Sequence, residues 1–163
     1  MSTNLIRLKR RPERLIRWGN SPGRREIEPE ILPYCSSHGV GVIVYSPMAS
    51  GLLTGAMTRE RVAKLPDSDW RSRDLEFTEP RLPKNLALVE RLRKVGKKHG
   101  RPPGQVAVAW VLRNPAVAAA IVGARSAQQV EGNVGAAELH LTDEEVAEIE
   151  DRKVQEPELI TAA

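Results

Sequence analysis

Two stretches of the sequence decide the fold: GVGVIVYSPMASGLLTG, residues 39–55, and AAAIVGARSAQQVEGN, residues 118–133. Each begins as an apolar strand and runs directly into a loop of small and polar residues. The first strand shows no alternation of apolar and polar residues, and strands that are apolar on both faces are typical of parallel sheets covered by helices. The pair therefore predicts a parallel barrel or a doubly wound sheet.

Helix signals surround these strands. Ser126 with Gln129, and Thr142 with Glu145, have the spacing of capping boxes, which begin helices. The predicted helices are 27–37 and those that begin near Asn85, Pro103, Ala127 and Thr142. Residues 47–83 contain four prolines and are predicted to be irregular, and so long a loop in a compact domain is usually functional or disordered.

The composition is that of a soluble protein with one domain. The chain has 163 residues, of which 40% are hydrophobic and 28% charged. It has no apolar run of the roughly 18 residues needed to span a bilayer, and no secretory signal. The single cysteine, Cys35, excludes an internal disulfide framework and offers no metal cluster. We therefore expect no metal site, no membrane contact and a cytoplasmic location.

The positive charge is concentrated at the N-terminus. Residues 1–25 contain eight Lys or Arg and one acidic residue, Glu13, whereas the remainder contains 17 basic and 20 acidic residues. Such a leader could bind nucleic acid or a membrane surface, or act as an organelle transit segment. A solvated tail is favoured, and nucleic acid is an unlikely partner, because no aromatic residues other than Trp18 interleave the charges. Residues 1–23 are therefore predicted to be a basic leader, unrelated to the domain or disordered.

The loops that follow the two strands are typical of phosphate sites. Small residues after a strand let backbone N–H groups approach phosphate oxygens closely, and the 46–55 loop is rich in Gly, Ser, Ala and Thr. In the second stretch, Arg125 stands immediately before a capped helix N-terminus. A guanidinium and a helix dipole would then favour the same anion.

Six segments of the sequence together carry a resemblance to a known family. They are RREIEPEILPYC (24–35), GVGVIVYSPMASGLLTG (39–55), DWRSRD (69–74), NLALVERL (85–92), QVAVAWVLRNPAVAAAIVGARS (105–126) and QVEGNVGA (129–136). In this order, over about residues 24–152, they resemble the C-terminal half of the aldo-keto reductases, particularly the branch that includes the potassium-channel β-subunits.

The resemblance implies an α/β fold, the C-terminal portion of a (β/α)8 TIM barrel, over residues 24–155, followed by a tail, 156–163. It also implies that the cofactor is NADPH and that the reaction reduces aldehydes or ketones. Tyr45 would stack on the nicotinamide ring, and Arg125 would pair with the adenosine 2′-phosphate. The pyrophosphate would be lined by Ser46, Pro47, Met48, Ala49 and Gly51, with Arg71 or Arg73 in a lid over it. The adenine end would be held by Ser126, Gln129 and Asn133, and Gly123 would also belong to the cofactor-binding residues.

The same resemblance exposes departures from the family. Gly132 stands where a Glu usually precedes the Asn, and Ala56 stands where a Lys often follows the turn; both should weaken cofactor binding. The family's catalytic Asp, Tyr, Lys and His belong to early strands, N-terminal to everything matched. Neither Tyr34, Cys35 nor the three histidines offers a credible replacement, so no catalytic residue is assigned.

The leading interpretation is an incomplete barrel that carries the cofactor-binding half of an NADPH-dependent carbonyl oxidoreductase and is inactive alone. A small carbonyl substrate is expected only if the missing half is supplied. The alternatives are a non-catalytic NADPH-binding or regulatory module, or the product of a truncated or frame-shifted gene. Because open barrel edges expose unpaired strands, self-association is a further expectation.

Overall fold

The computed structural model describes the backbone of residues 2–6 and all of residues 14–151. The basic residues of the leader between positions 7 and 11, and the predicted tail 156–163, lie outside these ranges. The strands are β1 (Ser2–Ile6), β2 (Arg14–Gly19), β3 (Val40–Tyr45) and β4 (Val117–Ala124). The α-helices are α1 (Ile31–Ser37), α2 (Arg59–Ala63), α3 (Arg81–His99), α4 (Pro103–Leu112), α5 (Ala127–Val134) and α6 (Asp143–Glu150).

The four strands form one sheet in the order β1-β4-β3-β2. β2 runs parallel to β3, with Gly19 opposite Tyr45, and β3 runs parallel to β4, with Tyr45 opposite Ile121. β1 is antiparallel to β4 and pairs Ser2 with Ala124. The parallel part of the sheet confirms the arrangement that the apolar strands predicted.

Burial explains why β3 and β4 lack a polar face. Val42 and Val44 of β3 are fully buried, and β4 is buried at six of its eight positions. α4 begins with Pro103 at its first position, and every one of its residues is buried, because the helix packs between β4 and α3. The prediction of a buried helix opened by a proline is confirmed.

Partly buried charges tie the ends of these elements together. The Arg113 guanidinium lies 3.8 Å above the Trp110 ring. Its Nη2 atom donates to Glu28 at 3.0 Å and to Glu150 at 2.9 Å. The end of α4 is thereby joined to the segment before α1 and to the last turn of α6.

β2 is a strand that the sequence analysis did not identify, and it lies within the residues assigned to the basic leader. Arg14 and Arg17 interrupt the apolar residues, so the segment reads as a charged tail. In the structure Arg17 and Trp18 lie opposite Ile43 and Val44, in register with β3. The division of the chain at residue 24 stays a prediction.

The long segment after β3 is ordered rather than a simple loop. It contains α2 and three 3₁₀ turns, Ala49–Thr54, Trp70–Arg73 and Leu75–Phe77. A second, smaller core holds it together, formed by Leu52, Met57, Phe77 and Leu82. Among the described residues, no helix is long and apolar enough to cross a membrane.

Candidate functional site

The predicted site residues gather at the carboxyl ends of β3 and β4. Because the two strands are parallel neighbours, their ends lie on the same edge of the sheet. Tyr45 is the last residue of β3 and is exposed. Gly123 is the penultimate residue of β4, and Arg125 directly follows the end of that strand. In α/β sheets this edge is where ligands bind.

The loop after β3 is held in an unusual backbone conformation. Three residues other than glycine have positive φ angles: Ser46 at 56°, Ala49 at 46° and Ser50 at 55°. Left-handed conformations of such residues cost of order 1–3 kcal/mol each and cluster at ligand sites. Gly51 has a φ angle of 93°, a conformation in which any residue with a side chain would be strained.

Part of this loop is already committed to internal contacts. The N–H of Ala49 donates to the Ser46 carbonyl at 3.0 Å, and that of Gly51 donates to the Met48 carbonyl at 3.1 Å. Pro47 is buried, and Met48 packs on the first turn of α4. The exposed hydroxyls of Ser46 and Ser50 are the loop groups best placed to meet a ligand.

The Arg125 loop is ordered by the cap of α5. Ser126 Oγ accepts the Gln129 N–H at 3.3 Å, which confirms the predicted cap. Gln129 Oε1 reaches back to the N–H of Arg125 at 2.7 Å, one residue before the position that a capping box uses. Arg125 is thus fixed at its backbone, while its guanidinium remains exposed.

Asn133 lies further along α5 and is half-buried. The neighbouring Gly132 carbonyl accepts a hydrogen bond from Gln105 Nε2 at 2.5 Å, which attaches the helix to α4. No Cβ clash would prevent a side chain at Gly132, since nothing lies within 4 Å of a Cβ placed there. The departure from the family at this position is therefore not imposed by packing.

Asp69 and Arg71 form a bidentate ion pair. Arg71 Nε and Nη2 donate to the two carboxylate oxygens at 3.0 and 2.5 Å, and the Arg71 N–H adds a third hydrogen bond at 3.1 Å. These hydrogen bonds lower the pKa of Asp69 to about 2, and the charge of Arg125 contributes. The same pair raises the pKa of Arg71. The charge of Arg125 thus acts on Asp69, the partner of Arg71, whereas Arg73 is exposed to solvent.

A small cavity of about 130 Å³ adjoins the ring of Tyr45. The end of β2, the loop after β3 and the two later 3₁₀ turns enclose it. Its lining residues are Gly19, Asn20, Ser21, Gly23, Arg24, Tyr45, Ser46, Ala49, Ser50, Leu53, Trp70, Asp74, Glu76, Phe77 and Asn85. The predicted residues of the adenosine end do not line it.

The other reactive side chains occupy structural positions. Cys35 is buried, and burial raises the pKa of its thiol, as expected of a small core residue rather than a nucleophile. Tyr34 is exposed and stacks on His38. His99 Nε2 lies 2.7 Å from Glu145 Oε1. The described residues include no group of His, Cys, Asp or Glu arranged to hold a metal ion.

Three residues near the site were missed from the sequence. Asn20 and Trp70 line the cavity, and Asp69 holds Arg71. Asn20 opens the segment NSPG (20–23), which is typical of a turn and has no local pattern of a binding site. Asp69 and Trp70 belong to the segment DWRSRD, of which only the two arginines were predicted as site residues.

Comparison with known proteins identifies the family. The model of the aldo/keto reductase family matches residues 17–153. Aldo-keto reductase str7 from Strobilurus tenacellus is 40% identical over 122 residues, which cover 72% of this chain and 34% of that protein. Probable aldo-keto reductase 1 from Glycine max is 33% identical over 125 residues, covering 77% of this chain and 35% of that protein.

A solved structure has the same fold. A glycerol dehydrogenase from Gluconobacter oxydans superposes with a TM-score of 0.78 and is 36% identical, and the match covers 94% of this chain and 47% of that one. This confirms the predicted α/β class, part of a (β/α)8 TIM barrel. The described residues hold three parallel strands, whereas such a barrel closes with eight.

The chain spans about a third of the length of the curated relatives it matches, and about half of the solved structure. The matched region nevertheless includes both strand ends and the three loops described above. The chain therefore belongs to the aldo/keto reductase family.

Proposed function

We propose that this chain binds NADP(H) and forms the cofactor-binding part of an NADPH-dependent oxidoreductase that acts on aldehydes or ketones. The observation that carries the proposal is the position of Tyr45 and Arg125 on one edge of the sheet, at the ends of neighbouring parallel strands. An aromatic ring and an exposed guanidinium there match the two chemically different ends of a dinucleotide.

The charges of the site fit a phosphate-bearing cofactor. Arg71 is held rigid by Asp69, close enough to Arg125 for the charge of Arg125 to lower the pKa of Asp69. Guanidinium groups bind phosphate oxygens through two parallel hydrogen bonds. Ser46 and Ser50 add exposed hydroxyls between this basic region and Tyr45.

Each of the predicted site residues would have a part in binding and orienting the cofactor. Tyr45 would hold the nicotinamide ring against the sheet edge, and the hydroxyls of Ser46 and Ser50 would fix the pyrophosphate. Arg125 would select the 2′-phosphate, while Ser126 and Asn133 would orient the adenosine. A bound nicotinamide cofactor supplies hydride transfer to a carbonyl carbon.

We further propose that the chain alone binds the cofactor without turning over substrate, because the family's catalytic Asp, Tyr, Lys and His belong to strands before the matched region. The order and the sequences of the six segments favour the branch that includes the potassium-channel β-subunits. A non-catalytic NADPH-binding module is the second candidate, favoured by the presence of Arg71 and Arg125 at the predicted phosphate end. The single, buried thiol supports a cytoplasmic location.

Titration with NADPH and NADH tests the binding. Trp70 lines the cavity beside Tyr45, so cofactor binding should quench tryptophan fluorescence. Arg125→Ala should weaken NADPH binding about tenfold or more, since a hydrogen-bonded charge pair contributes roughly 1.5–3 kcal/mol. The same substitution should weaken the binding of NADH, which lacks the 2′-phosphate, much less.

Arg59→Ala is the matched control, because Arg59 is exposed and forms a surface ion pair with the exposed Glu79. No quench by either nucleotide would overturn the proposed binding. Equal losses for NADPH and NADH in the Arg125 variant would remove its assigned role. Turnover of a reactive aldehyde by the pure chain would contradict the proposed lack of activity.

A further inference from the structure

Asn20 carries a polar side chain that the protein itself leaves unsatisfied. It follows the last residue of β2 and is only 1% exposed. Neither its Oδ1 nor its Nδ2 has a hydrogen-bond partner among the described residues. Burying an amide without partners is costly, and such groups in native structures usually meet a water or a ligand.

The unsatisfied amide faces the cavity that adjoins Tyr45. Asn20 is among the residues that line this space. Its backbone is held in place, because its N–H donates to the Tyr45 carbonyl at 3.4 Å. Gly19 makes room for this approach, since a Cβ there would lie 3.1 Å from the Tyr45 ring. The amide is therefore positioned by backbone contacts and not by its own hydrogen bonds.

The carboxylates of the lining already make hydrogen bonds, whereas the hydroxyls of Ser46 and Ser50 are exposed. Asp74 Oδ1 accepts the Glu76 N–H at 2.8 Å, and the two Glu76 carboxylate oxygens bind Arg81 and Asn85 at 2.7 and 2.9 Å. Arg24 is exposed at the rim. Asn20 thus adds a buried neutral donor and a buried neutral acceptor to the lining, beside carboxylates that disfavour an anion.

We propose that the cavity is a binding subsite in which Asn20 receives a neutral group that presents a hydrogen-bond acceptor and a donor side by side. A primary carboxamide and an α-hydroxycarbonyl both have this chemistry. The volume of about 130 Å³ would hold roughly four water molecules. It therefore admits a small molecule or one end of a larger one.

Two sources could supply such a group. One is a small α-hydroxycarbonyl substrate; the other is the amide on the nicotinamide ring of the cofactor. Both sources are considered because Tyr45 lines the cavity. They rest on the proposed function, in which the Tyr45 ring lies at the nicotinamide end of the cofactor. Arg125, at the adenosine end, does not line the cavity.

Side-chain amide resonances in ¹⁵N-labelled protein provide the test. The Asn20 NH₂ signals are identified by their loss in Asn20→Asp. Hydroxyacetone is titrated against acetone, which lacks the hydroxyl donor. Nicotinamide mononucleotide is titrated against nicotinic acid mononucleotide, which carries a carboxylate in place of the amide. We expect one member of a pair to shift the Asn20 signals and its matched analogue not to do so.

A shift with hydroxyacetone assigns the subsite to substrate, and a shift with nicotinamide mononucleotide assigns it to cofactor; both support the proposal. Asn20→Asp, which keeps an acceptor but loses the donor, should weaken the active probe about tenfold or more. Asn114→Asp is the control, because the Oδ1 atom of Asn114 accepts the Ala116 N–H and Asn114 does not line the cavity.

Absence of any shift at the highest soluble probe concentrations would mean that the cavity holds water only, and would overturn the proposal. Asn20→Leu provides a second variant if Asn20→Asp does not fold, with the same expected loss of probe binding. NADPH quenching measured on the same sample separates the two proposals. Quenching without a shift of the Asn20 signals would leave the proposed function standing and this subsite excluded.

Discussion

At the scale of single residues, Asp69 determines how Arg71 meets an anion. Both carboxylate oxygens are occupied by the guanidinium, through Nε and Nη2. Asp69 also caps the 3₁₀ turn Trp70–Arg73, because it accepts the Arg71 N–H. The guanidinium therefore keeps only its remaining N–H groups for a ligand, in an orientation fixed before binding.

This arrangement predicts an abnormally acidic carboxyl group. The pKa of Asp69 is lowered to about 2 from an ordinary 3.8 by its hydrogen bonds with Arg71. A lowered folded-state pKa means that the pair stabilises the fold fully above pH 3.8, and that this contribution is lost as the pH falls toward 2. Arg71→Ala should return the pKa of Asp69 toward 3.8, measured by NMR titration of the carboxyl carbon.

Arg73→Ala is the control for that titration. Arg73 belongs to the same turn, but the pKa of Asp69 is lowered by Arg71 and Arg125. Asp69 should then still titrate near 2. An ordinary pKa for Asp69 in the unaltered protein would show that the ion pair does not form in solution.

Single residues also show what a sequence does not reveal. Arg125 and Ser126 were identified because a cap has a local spacing, three residues from Ser126 to Gln129. Asn20 was not, because its importance comes from burial against residues 25 or more positions away along the chain. An unsatisfied buried amide has no sequence pattern of its own.

At the scale of elements, α6 is held by one carboxylate with two partners. Glu145 Oε2 accepts the Thr142 N–H at 3.1 Å, while Oε1 lies 2.7 Å from His99 at the end of α3. Burial raises the pKa of Glu145, but the hydrogen bonds from Thr142 and His99 outweigh it and leave the pKa lowered. The cap thus joins α6 to α3 as well as beginning the helix.

Removal of the cap should destabilise the protein measurably. Thr142→Ala deletes the hydroxyl that accepts the Glu145 N–H at 3.3 Å. We expect the free energy of unfolding to fall by about 1 kcal/mol, measured by urea denaturation. Thr142→Ser keeps the hydroxyl and should retain most of the stability. Equal stability of the alanine variant and the unaltered protein would contradict a role for the cap.

Element prediction succeeded where the chain carries local signals and failed where it does not. The two apolar strands and the proline-opened α4 follow from burial and helix chemistry. β2 was missed because its arginines alternate irregularly with Leu15, Ile16 and Trp18. The ordering of residues 47–83 was missed because it depends on a small separate core rather than on periodicity.

At the scale of the whole molecule, β2 is an open edge. Among the described residues it pairs with β3 alone, so its other side has unpaired backbone groups. Leu15 and Trp18 on this strand are each 47% exposed. An edge with apolar side chains is a template for pairing with another chain. This supports the expectation of self-association through the edge.

We expect the protein to associate in a concentration-dependent way, as measured by sedimentation velocity, and Leu15→Lys to shift the equilibrium toward monomer. A charge on an edge strand opposes pairing between chains. Leu75→Lys is the control, because Leu75 is 63% exposed but lies in the 3₁₀ turn Leu75–Phe77, outside the sheet. A monomer at all concentrations, or equal effects of both substitutions, would contradict association through β2.

On the side of the sheet opposite β2, β4 is already paired with β1. β1 runs antiparallel along β4, from Ser2 beside Ala124 to Ile6 beside Ala120. Each strand edge forms one ladder, so any further barrel strand that approaches β4 must displace a segment of the same polypeptide. A tethered competitor has an effective concentration on the order of millimolar. Pairing of another barrel strand with β4 is therefore an exchange equilibrium with β1. The other strand replaces β1 only if it pairs with β4 more strongly.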